Sequence, residues 1–91
     1  MNDVQTTPIR FSKTGKDMRI NAKLFATLQR DRFESRDFDV PAGSTVRDVI
    51  RSIGIPAEQV TLIFINNRHS TLEALLSDGD VLALFPPIGG G

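Results

Sequence analysis

The chain ends Phe85-Pro86-Pro87-Ile88-Gly89-Gly90-Gly91, an uncharged tail whose last group is the α-carboxylate of Gly91. Glycines 89, 90 and 91 lack side chains, so they can follow a channel that a Cβ would block. Pro86 and Pro87 fix φ and disfavour helix in the residue before each, which makes the exit extended. The six residues from Pro86 to Gly91 then reach roughly 20 Å, and the terminal carboxylate, with an unperturbed pKa of about 3.3–3.7, is ionised at neutral pH. A tail of this kind can enter another protein's active site. The competing reading is a terminus that simply frays, but the strand-like run Val81 to Phe85 leads into the tail with no linker between.

The body must hold that tail and give it a place to dock. Ordering backbone costs roughly 1–2 kcal/mol per residue, so immobilising the tail costs on the order of 6–12 kcal/mol, less what the prolines already restrict. Glycines offer little surface to offset this, so contacts made by the body must supply much of the affinity.

Ninety-one residues make one small domain, able to bury only about 60–65% of its unfolded surface. Eleven basic and eleven acidic residues cancel and are interspersed, which gives no basic field of the size nucleic acid requires. There is no cysteine, hence no disulfide, no thiol nucleophile and no thiolate ligand. The single histidine has no cluster of partners that would make a metal site. The N-terminus carries no apolar signal core, and no apolar stretch is long enough to span a bilayer, so a cytoplasmic protein with no membrane partner is expected. No nucleophile with a plausible base and no phosphate-cradling loop is present, so no catalytic residue of the chain's own is expected.

Residues 1–17 carry turn formers and charges around Ile9 and Phe11 and read as a flexible extension with at most a short, weakly docked strand. From Met18 the pattern alternates: Met18, Ile20, Ala22 and Leu24 on one side, Arg19, Asn21 and Lys23 on the other, the mark of a half-buried strand. A polar connector over 29–37, with Phe33 its one apolar residue, leads to a second alternation in which Phe38 and Val40 oppose Asp37 and Asp39, so a hairpin is predicted. Pro41-Ala42-Gly43 ends it. Ser44 or Thr45 is placed to cap a helix, with Thr45 and Asp48 at capping-box spacing; Val46, Val49, Ile50 and Ile53 then form the apolar stripe of one short helix stopped by Gly54 and Pro56. Val60 to Ile65 predicts another strand, Asn66-Asn67 a turn with left-handed backbone, Arg68 to Thr71 a short strand, Leu72 to Leu76 a helical turn, and Ser77 to Asp80 a turn before the last strand.

The predicted class is α+β: a mixed sheet of about four to five strands with one main helix on one face. The boundaries are an extension at 1–17, a folded domain at 18–85 and an extended tail at 86–91. One helix covers one face only, so one parity of Val81 to Phe85 packs on it. The other parity is left as an apolar patch for a partner, unless the extension or a loop covers it.

Leu24-Phe25-Ala26-Thr27-Leu28, Thr45-Val46-Arg47-Asp48-Val49, Asn66-Asn67-Arg68, and Asp78-Gly79-Asp80-Val81 leading to Phe85-Pro86-Pro87 and a terminal Gly-Gly resemble the MoaD/ThiS sulfur-carrier family over residues 18–91. The nearest type is the molybdopterin synthase small subunit. The resemblance implies a ubiquitin-like β-grasp. It also implies that a ubiquitin-activating-like adenylating enzyme uses ATP and Mg to convert the Gly91 carboxylate to an acyl-adenylate. A sulfur donor then turns that into a thiocarboxylate, which delivers sulfur in cofactor assembly, with a large synthase subunit as a further partner.

A carboxylate oxygen is a poor leaving group, so this activation is chemically required, and the chain is a substrate rather than an enzyme. By position, the resemblance places Phe25, His69 and Phe85 in a docking face around the tail, and Pro86, Pro87, Ile88, Gly89 and Gly90 inside the partner. The alternatives are an exposed turn histidine for His69 and core places for Phe25 and Phe85. Two departures stand out: Asn67 where the family often has glycine, and Gly89 as a third terminal glycine. The competing functions are a thiamine-type sulfur carrier, a ubiquitin-like modifier joined through Gly91 to lysines, and an interaction module with an inert tail.

Overall fold

The computed structural model of the chain describes residues 9–10 and 17–87. Residues 1–8 and 11–16 of the extension, and Ile88 to Gly91 of the tail, lie outside the described residues.

Strands β1 (Ile9–Arg10), β2 (Asp17–Leu24), β3 (Ser35–Pro41), β4 (Leu62–Ile65), β5 (Arg68–His69) and β6 (Val81–Phe85) form one mixed sheet in the order β1-β3-β2-β6-β4-β5. The helix α1 (Val46–Ile53) packs on one side of it. The predicted hairpin is the antiparallel pair β2–β3, with Ile20 opposite Phe38. β6 lies between β2, to which it is parallel, and β4, to which it is antiparallel.

Sequence parity explains the core. Met18, Ile20, Ala22 and Leu24 of β2, Phe38 and Val40 of β3, and Leu82 and Leu84 of β6 are buried with Val46, Val49 and Ile50 of α1. The intervening Val81, Ala83 and Phe85 are only half-buried. One parity of the last strand therefore faces the helix and the other faces away.

The helix starts where the capping box predicts. The Asp48 N–H donates to Thr45 Oγ1 at 3.2 Å, and the Thr45 N–H donates to Asp48 Oδ2 at 3.0 Å. It ends at Gly54, whose φ of 95° places it in the left-handed region. The Thr45 backbone N–H holds the Asp48 carboxyl below its ordinary value of 3.8, with help from the Thr45 hydroxyl and Arg51 and against a desolvation cost. Because the folded value is the depressed one, this stabilisation is present above pH 3.8 and is lost as pH falls through the folded value. Thr45→Ala is expected to cost about 1 kcal/mol in urea titrations at neutral pH. Asp48→Asn is expected to flatten the acid limb of the stability–pH curve, whereas an unchanged limb would separate Asp48 from it.

Three predictions need correction. Leu72 to Leu76 is not a helical turn: Leu72 and Glu73 form a turn, and Leu75 bridges antiparallel to Thr45. The cause lies at the helix N-terminus, whose first amides have no partner within the helix. The Val46 N–H donates to the Ala74 carbonyl at 3.1 Å and the Arg47 N–H to the Leu72 carbonyl at 2.9 Å, so this segment is drawn out along the helix start.

The connector is shorter than its polarity suggests. A 3-10 turn occupies Ala26–Gln29, and Ser35, Arg36 and Asp37 already belong to β3. Phe33 packs across Phe38 with ring centroids 5.4 Å apart. Asp17, placed in the extension, is the first residue of β2. The mixed sheet of five strands predicted for the folded domain is present, and the short strand allowed for in the extension, Ile9–Arg10, adds to the outer edge of β3.

Candidate functional site

On the face away from α1, aromatic rings gather around the end of β6. Phe25 follows β2 and stacks on Phe85, with centroids 4.3 Å apart and planes 7° from parallel. Phe64 of β4 meets Phe85 edge-on at 5.7 Å and 80°. His69 of β5 meets Phe64 edge-on at 5.7 Å and 75°. The edge-on contacts are a favourable arrangement of aromatic quadrupoles. The three phenylalanines are half-buried and His69 is exposed.

The structure thus brings Phe25, Phe85 and His69 together and places none of them among the buried core residues. Phe64, which sequence reasoning passed over inside the run Val60 to Ile65, joins Phe85 to His69. Parity could have found it, because Phe64 is in register with Ala83 and Leu62 with Phe85, all facing away from the helix. Between the rings, a groove bordered by Lys23, Phe25, Phe64, Asn67 and Phe85 runs over Val81 and Ala83.

The tail leaves this face under tight control. The Thr61 N–H donates to the Phe85 carbonyl at 2.8 Å and the Phe25 N–H to the Leu84 carbonyl at 3.2 Å, so the backbone is tied up to the residue before Pro86. Neither proline has an N–H to continue the ladder. Pro86 is buried and Pro87 is exposed, which marks the point at which the chain leaves the body.

The turn motifs fix the start of the same strand. Asn66 and Asn67 have φ of 52° and 70°, the left-handed backbone predicted for them. Asn66 also does what its turn role alone does not reveal: Nδ2 donates to Asp80 Oδ1 at 2.8 Å, and Oδ1 accepts the Val81 N–H at 2.9 Å. Asp80 Oδ2 accepts the Ser77 N–H at 2.8 Å. Asp78 Oδ1 accepts the Arg19 N–H at 2.8 Å, and the Gly79 N–H donates to the Arg19 carbonyl at 2.7 Å. The motif Asp78-Gly79-Asp80-Val81 therefore sets where β6 begins against β2 and β4, and hence where Phe85 and the prolines emerge. A double-mutant cycle on Asn66→Ala and Asp80→Ala should give a coupling of about 0.5–1.5 kcal/mol. Additive effects would deny the latch.

Among the described residues, no group of three or more His, Asp or Glu is placed to hold a metal ion, and no helix is long and apolar enough to cross a membrane.

A mixed sheet with one helix on one face and a tail running out of its central strand defines a ubiquitin-like β-grasp protein. The ThiS family model matches residues 18–91, and the chain belongs to that family, among the small ubiquitin-like carriers and modifiers of the ThiS/MoaD type. SAMP1 of Haloferax volcanii, a small archaeal modifier protein, is 26% identical, with 80% of this chain aligned to 99% of that one and a TM-score of 0.65. A putative molybdopterin converting factor subunit 1 of Pyrococcus furiosus is also 26% identical, over 78% of this chain and 99% of that one, with a TM-score of 0.64. The ubiquitin of Caldiarchaeum subterraneum, 16% identical over 84% of this chain and all of that one at a TM-score of 0.56, shares the fold alone. No curated protein sequence matches the chain.

Proposed function

We propose that the chain is a sulfur carrier that works as a substrate, with the Gly91 carboxylate as its reactive group and cofactor assembly of the molybdopterin type as its destination. The observation that carries this is the family match over 18–91, which runs through the Gly-Gly end, together with a central strand hydrogen-bonded up to the point where the tail leaves. The similarity to a putative molybdopterin converting factor subunit 1 favours the pathway.

The chemistry belongs to a partner adenylating enzyme. The Gly91 carboxylate oxygen attacks the α-phosphorus of Mg-bound ATP, pyrophosphate leaves, and an acyl-adenylate forms. A hydrosulfide nucleophile then adds at the acyl carbon and expels AMP, leaving a thiocarboxylate and a released proton. Phe25, Phe64, Phe85 and His69 form the face on which the enzyme, and afterwards a large synthase subunit, docks. Pro86 and Pro87 direct Ile88, Gly89 and Gly90 into the enzyme, where residues without side chains pass a narrow channel.

The similarity to SAMP1 favours a second reading, in which the same activated carboxyl is captured by a lysine amine of another protein. The two separate in one experiment. The chain is incubated with the cognate adenylating enzyme, Mg-ATP and sulfide, and its intact mass is recorded; a parallel cell lysate is probed for larger covalent adducts. Replacement of one oxygen by sulfur supports the carrier. Adducts that vanish on deletion of Gly91, with no sulfur incorporated, support the modifier. Neither product would remove both readings.

A further inference from the structure

On the sheet face away from α1, polar side chains of β2 and β3 satisfy one another across the strands. Arg19 Nε donates to Asp39 Oδ1 at 3.0 Å. Asn21 Nδ2 donates to Asp37 Oδ1 at 2.8 Å, and Asn21 Oδ1 accepts from Ser35 Oγ at 3.3 Å. Lys23 stands next in the same row of β2 and is exposed. Its cross-strand neighbours are Ser35 of β3 and Ala83 of β6, neither of which carries a charge. Among the described residues, the Lys23 side chain makes no hydrogen bond and no ion pair.

This cation borders the aromatic groove, with Phe25, Phe64 and Phe85. Because Lys23 is in register with Ala83, it lies one strand across and two residues along from Phe85, roughly 8 Å between Cα atoms. The tail beyond Pro87 has four residues, so its carboxylate lies at most about 14 Å from that proline. An enzyme that takes the carboxylate must therefore bring its own surface onto the residues around the exit. A standard interface covers about 800 Å² per partner, a patch roughly 16 Å in radius. Centred on Phe85, such a patch includes Lys23. Covering an ammonium strips its water, and only an opposite charge in good geometry offsets that loss. The groove floor, Val81 and Ala83, has no side-chain acceptor to offer.

Resting on the reading in which an adenylating enzyme docks on the aromatic face, we propose that Lys23 is a specificity-determining residue of that docking. The enzyme presents an Asp or Glu carboxylate to the Lys23 ammonium at the edge of the groove. The rings supply apolar contact, and the ion pair decides which partner surface is accepted.

The test is calorimetric binding to the purified cognate enzyme, alongside ATP–pyrophosphate exchange, for the whole chain and for Lys23→Arg, Lys23→Met and Lys23→Glu. Lys23→Met is expected to weaken binding about tenfold and Lys23→Glu about a hundredfold. Melting temperature and kcat should stay unchanged, because Lys23 is exposed and acts on docking rather than on the Gly91 carboxylate. Lys23→Arg keeps the charge and should bind within about threefold of the wild-type chain. Rising salt should weaken the wild-type complex more steeply than the Lys23→Met complex. Lys23→Met binding as tightly as the wild-type chain, or more tightly, would overturn the acidic partner; a loss on Phe85→Ala in the same assay would leave the docking face standing. A fall in kcat at unchanged affinity would overturn the docking role. Self-association of the wild-type chain in light scattering, abolished by Phe85→Ala, would overturn the enzyme as occupant. A wild-type chain that the enzyme neither binds nor activates would remove the docking reading itself, and the role of Lys23 with it.

Discussion

Phe85→Ala is expected to weaken binding to the cognate adenylating enzyme about thirtyfold, or about 2 kcal/mol, with the chain still folded. Phe85 is the middle ring of the cluster, stacked on Phe25 at 4.3 Å and met by Phe64 at 5.7 Å. Removing it takes an anchor from the proposed docking face and also frees Phe25 and Phe64 to reorient. Each aromatic contact contributes about 0.5–1.5 kcal/mol within the chain, less than the roughly 5–15 kcal/mol by which domains are stable. Titration calorimetry against the enzyme, with thermal melting as a control, reads both quantities. Unchanged affinity in a folded variant would move the docking face away from β6.

One residue earlier the balance reverses. Leu84→Ala should cost about 2–5 kcal/mol of folding stability, the range for truncating a buried leucine where the cavity stays open. Leu84 is fully buried at 0% exposure. Urea unfolding at constant m-value measures the loss. Enzyme affinity, measured per folded molecule, should stay within about twofold, because Leu84 faces the helix and reaches the aromatic face only through the backbone carbonyl that accepts from Phe25. A large affinity loss with little destabilisation would mean that the two parities of β6 do not divide their roles.

That division was legible from Val81 to Phe85, because a single helix cannot cover both faces of a sheet. The helix was legible as well, since Thr45 and Asp48 cap it locally and no distant residue is needed to specify its start. Legibility failed where distant groups decide. Leu72 to Leu76 has helical spacing, but its carbonyls are taken by the unpartnered amides of Val46 and Arg47. Nothing local announces that demand. Phe64 sat within a continuous apolar run, whose lack of alternation conceals which residues face out until the register with Ala83 is known. Asn66 was visible as a turn residue but not as the latch on Asp80 and Val81, fourteen and fifteen positions away. The chemistry of the Gly91 end rests on the tail sequence and on the family to which the chain belongs, since Ile88 to Gly91 lie outside the described residues.

The central claim is that the body exists to present one acyl group to another protein's catalyst. It is tested most directly by ATP–pyrophosphate exchange with the cognate adenylating enzyme, comparing the whole chain with one lacking only Gly91. The expected result is robust exchange with the whole chain and background exchange with the shortened one, at equal melting temperatures and equal affinity through the aromatic face. Equal exchange from both chains would contradict the claim, because the activated carboxylate would then not be that of Gly91.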